Sequence, residues 1–210
     1  MEQRRVIVVL SLAIALTRLL AIAQSLFDWD EALFALGVRD FDVTQHHPHP
    51  PGYPLFIVAA KVLDALGVSE FRSLQVIVVC GSLFVFPALY WLARELGFDF
   101  TTAAAGAALY AFLPNVWIYG GTAFSDVPAT VFAFVACALL LRGRRDARAY
   151  VLGAIVLGIA AGFRLPNLLL GAIPALLATW SQRRRWRLVL LAMFAGACVV
   201  LIAYGGAALA

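Results

Sequence analysis

Charge is scarce in this 210-residue chain, and long polar stretches are missing altogether. Only 13% of the residues are charged, about half of the ~25% found in a soluble globular domain. That excludes a water-soluble domain of any size, because no polar stretch is long enough to build its surface. The 16 basic residues barely outnumber the 12 acidic ones. In so apolar a chain that balance encodes orientation, and no nucleic-acid partner is read from it. Cysteine is rare too. Cys80, Cys137 and Cys198 are odd in number and sit inside apolar runs with no potential metal ligands beside them, so they read as small packing residues. Low-complexity linkers and internal repeats are also absent.

What is present is apolar sequence: 63% hydrophobic residues and a mean hydropathy of +0.91. Crossing the hydrocarbon core takes about 20 apolar residues. Seven runs approach that length, at 6–27, 72–93, 101–118, 127–142, 149–163, 166–181 and 187–208. They predict an all-α fold, a polytopic transmembrane helical bundle of about seven spans forming a single domain over 1–210. The first run is long for a signal sequence, carries Arg18 and has no clear cleavage site, so it reads as a retained helix. The fifth and sixth runs are short, which predicts tilted spans or a broken pair. Gly158 and Gly162 in the fifth have the spacing of close helix packing. The last run reaches the end of the chain without a polar tail, which predicts the N-terminal part of a longer protein or a truncated member of its kind.

Basic residues near helix ends set the orientation. With Arg4 and Arg5 in the cytoplasm, alternation also puts Arg94, the cluster Arg142/Arg144/Arg145/Arg148 and the cluster Arg183/Arg184/Arg185/Arg187 inside. That accounts for eleven of the sixteen basic residues. Eight of the twelve acidic residues then fall outside, among them Asp28, Asp30, Glu31 and Asp126. Polar chemistry is expected at the outer face, mainly in a large loop over 28–71. Within that loop a short apolar run, 55–66, opens at Pro54 and closes at Gly67, the residues favoured at a helix start and stop. Two interfacial helices joined by a proline-stiffened turn are expected there.

Several residues in this face are candidates for chemistry. Asp30 and Glu31 follow the first span directly, where lost hydration raises a carboxyl pKa and suits a general base. A helix N-cap at Asp28 or Asp30 explains the same residues. His46, His47 and His49 are interrupted by Pro48, so no helical metal-ligand pair can form. No cofactor is called for, and a divalent cation is not supported. A rigid turn aiming His49 at a phosphate fits better. Asp126 in Ser125-Asp126-Val127-Pro128 reads either as a helix cap or as a second carboxylate facing the loop. Arg164 reads as a snorkelling arginine or as a phosphate fork. Arg18 poses the same question, with a salt bridge to a loop acid as an equal alternative.

At these residues the chain resembles the GT-C superfamily of polytopic glycosyltransferases, in the branch of the protein O-mannosyltransferases, aminoarabinose transferases and rhizobial lipopolysaccharide-transferase-like proteins. The likeness lies in a cytoplasmic N-terminus, one helix, and an outer loop opening on an acidic pair, here Asp30-Glu31. A His/Lys-Pro-Pro element follows, here His49-Pro50-Pro51, leading into a second surface helix. Ser125-Asp126 and Gly162-Phe163-Arg164-Leu165-Pro166 also look like family features. The chain departs from the pattern in its small number of helices and in Gly52-Tyr53-Pro54 after the prolines. The resemblance implies a cell-envelope enzyme of the bacterial cytoplasmic membrane. It would move a sugar from a polyprenyl-phosphate donor to a lipid, glycan or protein acceptor outside the cytoplasm. Asp30 would be the base, supported by Glu31 and Asp126, with Arg164, His49 and Lys61 binding the donor phosphate. No Rossmann-type phosphate loop is present, so a soluble nucleotide-sugar donor is not supported. A secondary transporter with Arg18 and the short segments lining its path, and a non-catalytic fragment or assembly subunit, are the competing readings.

Overall fold

Prolines and glycines divide the apolar runs. In the computed structural model, which describes residues 2–26 and 28–209, every regular element is helical. The order is α1 (Glu2–Arg18), α2 (Trp29–Arg39), α3 (Pro54–Asp64), α4 (Glu70–Ser82), α5 (Val85–Glu95), α6 (Phe100–Ala111), α7 (Pro114–Tyr119), α8 (Asp126–Arg142), α9 (Ala147–Phe163), α10 (Asn167–Gln182) and α11 (Trp186–Leu209). The second apolar run becomes α4 and α5, because Pro87 has no N–H to offer the Leu83 carbonyl and its ring crowds that oxygen. The third becomes α6 and α7, because Pro114 drives Leu113 out of the helical region, to φ −55 and ψ 133. Aspartates cap the turns: Asp99 accepts from the Thr101 N–H and Asp146 from the Arg148 N–H, at 2.8 and 2.9 Å.

The seven runs fold mostly as helix, and two of the helical stretches have the length and hydropathy of a span. Glu70–Glu95 and Trp186–Ala208 are long and apolar enough to cross a membrane. Helices α8 and α9 have 17 residues each and α10 has 16, roughly 24–26 Å at 1.5 Å per residue, against a hydrocarbon core of about 30 Å. The first run ends earlier than its composition suggests: α1 stops at Arg18, followed by a 3-10 turn over Leu19–Ala21. Arg18 is fully buried and donates from Nη2 to the Ala111 carbonyl at 2.6 Å. That carbonyl belongs to the last turn of α6, where the Pro114 break leaves acceptors without helical donors. Arg18 thus closes a helix end through Nη2, while its buried Nε and Nη1 have no hydrogen-bond partner among the described residues.

The loop over 28–71 carries two helices as expected. Pro54 takes the first position of α3, and Gly67 adopts φ +90 beyond its end. Both helices pack inward. Phe34 of α2 meets Phe56 of α3 edge-on at 5.4 Å, and Phe34, Phe56, Ile57, Leu74 and Val78 are fully or almost fully buried in the main core. The small residues of α9 permit close approach: a Cβ on Gly158 would stand 2.9 Å from Val199 Cβ of α11. At the opposite end of the bundle, Arg145 pairs with Glu95 at 2.7 Å, and Gln182 donates to the Gly143 carbonyl at 2.8 Å. The basic turns after α8 and α10 therefore lie together, away from the loop helices.

Candidate active site

The site begins with a cap. Asp28 precedes α2 and accepts from the Asp30 N–H at 3.0 Å, so the N-cap is Asp28 and the Asp30 side chain is released from that role. Asp30 is about half exposed and stands 3.9 Å from His49 Nδ1. One residue on, the helix has turned by about 100°, and Glu31 is fully buried. Its carboxylate accepts the Ala123 N–H at 2.7 Å. The two neighbours of the acidic pair thus face different ways, one toward the open site and one into the protein.

Glu31 fixes the segment that leads into α8. Buried Gln75 of α4 holds the same segment from another side, donating to the Gly121 and Ala23 carbonyls at 2.8 Å each. The Ala23 N–H adds a bond to the Gly121 carbonyl at 3.0 Å. Gly121 is required here, since a Cβ would overlap the Ala21 backbone. Held this way, Asp126 opens α8, and its side chain pairs with Arg164 through Oδ2 and Nη1. Ser125 occupies the N-cap position without a side-chain bond, so neither residue caps through its side chain. Arg164 is freed from α9 by Pro166, which restricts Leu165 and stops the helix at Phe163.

Tyr53 joins the two halves. Its backbone is left-handed, at φ 50 and ψ 48, a conformation costing a non-glycine residue about 1–3 kcal/mol that surrounding structure must sustain. Phe34 does so, meeting the Tyr53 ring edge-on at 4.9 Å. The phenol oxygen lies 2.8 Å from His49 Nε2, and the Arg164 guanidinium stands over the ring at 5.9 Å. Burial pushes the Tyr53 hydroxyl above its ordinary pKa; Arg164 opposes that shift, and Asp30 and Asp126 reinforce it. Tyr53 is therefore neutral at physiological pH. In the tautomer with Nδ1–H toward Asp30, His49 Nε2 accepts the Tyr53 proton, while Nδ1 faces Asp30 across 3.9 Å without a hydrogen bond.

Asp30, His49, Asp126 and Arg164 thus come together at one end of the bundle, as their sequence positions suggest. Tyr53 completes the group; sequence reasoning registers it only as a departure from a proline motif. Its fourth-residue spacing from His49 was the available signal. Lys61 does not join them. It lies eight residues along α3 from Tyr53, about 12 Å at helical rise, and lines a separate apolar cavity of about 420 Å³ between α3 and α11. Among the described residues no group of three or more His, Cys, Asp or Glu is arranged to hold a metal ion.

A sequence model of the dolichyl-phosphate-mannose-protein mannosyltransferase family matches residues 48–205. The chain belongs to this family. No curated protein and no solved structure matches the chain. Membership makes the chain part of a glycosyltransferase family of mannosyltransferase type. The matched residues of the mannosyltransferase model include His49, Tyr53, Asp126 and Arg164, whereas Asp30 and Glu31 precede them. Asp30 is tied to the family segment by geometry, through its approach to His49.

Proposed function

We propose that this chain is a membrane glycosyltransferase that moves a sugar from a polyprenyl-phosphate donor to a lipid, glycan or protein acceptor outside the cytoplasm. The observation that carries the reading is the meeting of Asp30, His49, Tyr53, Asp126 and Arg164 at one end of the bundle in a member of a mannosyltransferase family. Asp30 is the base. It takes the proton of the acceptor hydroxyl as that oxygen forms its bond to the sugar C1. The bond from C1 to the donor phosphate breaks, and polyprenyl phosphate leaves with its new charge held by Arg164. Asp126 orients the guanidinium beforehand, and His49 supports the ionised Asp30. Glu31 acts at one remove, by holding the segment before Asp126. Lys61, in its separate cavity, has no part in this step.

The same reading sets the chain in a bacterial cytoplasmic membrane with seven spans and the site at the outer surface. Its support is the gathering of the Arg145 and Gln182 turns at the end remote from the loop helices, in the sense of the positive-inside rule. The test combines two measurements on the full-length protein. Membranes containing it are expected to transfer mannose from mannosyl-phosphoryl-polyprenol, and Thr44→Cys is expected to react with an impermeant thiol reagent in intact cells. Solute uptake without sugar transfer, or labelling only after lysis, would sink the reading.

A further inference from the structure

Asp126 also lines a small polar cavity of about 200 Å³ between α5, α6, α7 and α8. Two helices supply matched pairs to it. Asn115 and Tyr119 are four residues apart on α7, Asp126 and Thr130 four apart on α8, so each pair shares one helix face. Tyr110 of α6 completes the lining, and the floor is valine. The Pro114 break is what builds this wall, since it swings α7 out of the line of α6. Among the described residues the side chains of Tyr110, Asn115 and Thr130 make no hydrogen bond, although all three border the cavity.

We infer that this cavity is the binding site for the glycosyl group of the donor, a neutral pyranose ring. The inference rests on the donor reading above. An amide, two phenols, a hydroxyl and a carboxylate offer donors and acceptors in mixed order, which suits a ring bearing several hydroxyls. The tyrosine rings offer flat apolar surface to the C–H face of a sugar. No cation lines the cavity, so a phosphate is not its occupant. Its volume lies below the ~300–1,000 Å³ of pockets for drug-sized ligands, in keeping with one ring rather than a glycan chain. Position agrees with chemistry. Asp126 is shared between the cavity and Arg164, so a phosphate on Arg164 has its sugar one bond away, at the cavity mouth.

The experiment compares two probes on the full-length protein in lipid nanodiscs: mannosyl-phosphoryl-polyprenol and the same polyprenyl phosphate without sugar. Thr130→Val keeps side-chain shape and removes the hydroxyl; Asn115→Ala removes the amide. Each is expected to weaken binding of the sugar-bearing lipid by about tenfold, as loss of one well-made hydrogen bond does. Binding of the sugar-free lipid is expected to stay unchanged, and Thr130→Ser should restore the preference. If both probes weaken together, the cavity serves the lipid or the fold, and the inference is wrong. Equal affinity of the unaltered protein for the two probes also overturns it, while leaving the phosphate role of Arg164 intact. Failure to bind either probe removes the donor reading itself, and the cavity assignment with it.

Discussion

Helices α2 and α3 differ from α10 and α11 in where they spend their apolar residues. In the loop pair, Phe34 and Phe56 have almost no exposed surface, Glu31 is buried against the Ala123 N–H, and His49 is bonded to Tyr53. In the later pair the large side chains point away from the protein: Leu169, Ile173 and Trp180 on α10, and Phe194, Leu201 and Ile202 on α11, are all well exposed. Composition separates α2, which carries Asp30, Glu31 and Arg39, but not α3, which is as apolar as α10 and α11. The first pair buries its aromatic residues Phe34 and Phe56 against other helices, although Trp29, Val58 and Val62 stay exposed, and it carries the polar groups of the site. The second presents a surface suited to lipid, where identity matters less than hydrophobicity. The end that carries the proposed site encloses Glu31 and Gln75 within protein.

The largest expected effect is on chemistry. Asp30→Asn removes the charge and keeps the shape, and the cap on α2 belongs to Asp28, so folding should be untouched. Sugar transfer by the full-length protein should fall by about 10²–10⁴-fold, the usual loss for a general base, with an unchanged thermal midpoint. Near-normal transfer would reduce Asp30 to a surface carboxylate. Next comes a matched pair of truncations. Phe34→Ala should destabilise the protein by about 3–5 kcal/mol. Ile202→Ala should stay within about 0.5 kcal/mol. Thermal unfolding in one detergent reads both, and equal losses would erase the distinction between the helix pairs. A smaller effect is expected at Arg164. Arg164→Lys keeps the charge but gives up the planar fork, so the KM for donor should rise by roughly tenfold, about 1.4 kcal/mol, with little change in stability. A lysine variant with normal donor KM would remove the phosphate role.

Much of this arrangement is legible in the sequence, and the exceptions have physical causes. Pro54 and Gly67 mark the ends of α3 because their backbone preferences are local. Asp30, His49, Asp126 and Arg164 gather because the alternation of apolar runs already sends them to one side. The end of α1 is not local: the run stays apolar to residue 26, but the chain leaves the helix to pair Ala23 with Gly121, and Arg18 is spent on α6. The breaks near Leu83 and Leu113 follow from Pro87 and Pro114, which a reading by length passes over. Which member of Asp30-Glu31 faces the site depends on how α2 is rotated against α8, and the role of Tyr53 depends on a backbone conformation that only its neighbours sustain. Lys61 belongs to the same outer loop, yet it stands eight residues along α3 from Tyr53, about 12 Å at helical rise.

The finest test of the comparison uses two glycines, one in each helix pair. Gly37 in α2 and Gly205 in α11 both occupy helical positions. Replacing a helical glycine by alanine ordinarily stabilises by roughly 0.5–1 kcal/mol, because it narrows the unfolded ensemble. At Gly205 nothing lies within 4 Å of an added Cβ, so Gly205→Ala should show that gain as a slightly higher thermal midpoint. At Gly37 the added Cβ would stand 2.7 Å from Pro48 Cδ and 2.9 Å from Pro48 N. A proline ring and its backbone cannot swing aside as a flexible side chain does. Crowding of this kind costs about 1–3 kcal/mol, enough to reverse the sign. Gly37→Ala should therefore lower the midpoint, and because Pro48 leads directly to His49, it should also reduce sugar transfer more than the lost stability explains. A Gly37→Ala protein as stable as its Gly205→Ala counterpart would show that α2 and the proline turn are not held in contact. The enclosed, position-fixing character assigned to this end of the molecule would then fail at its tightest point.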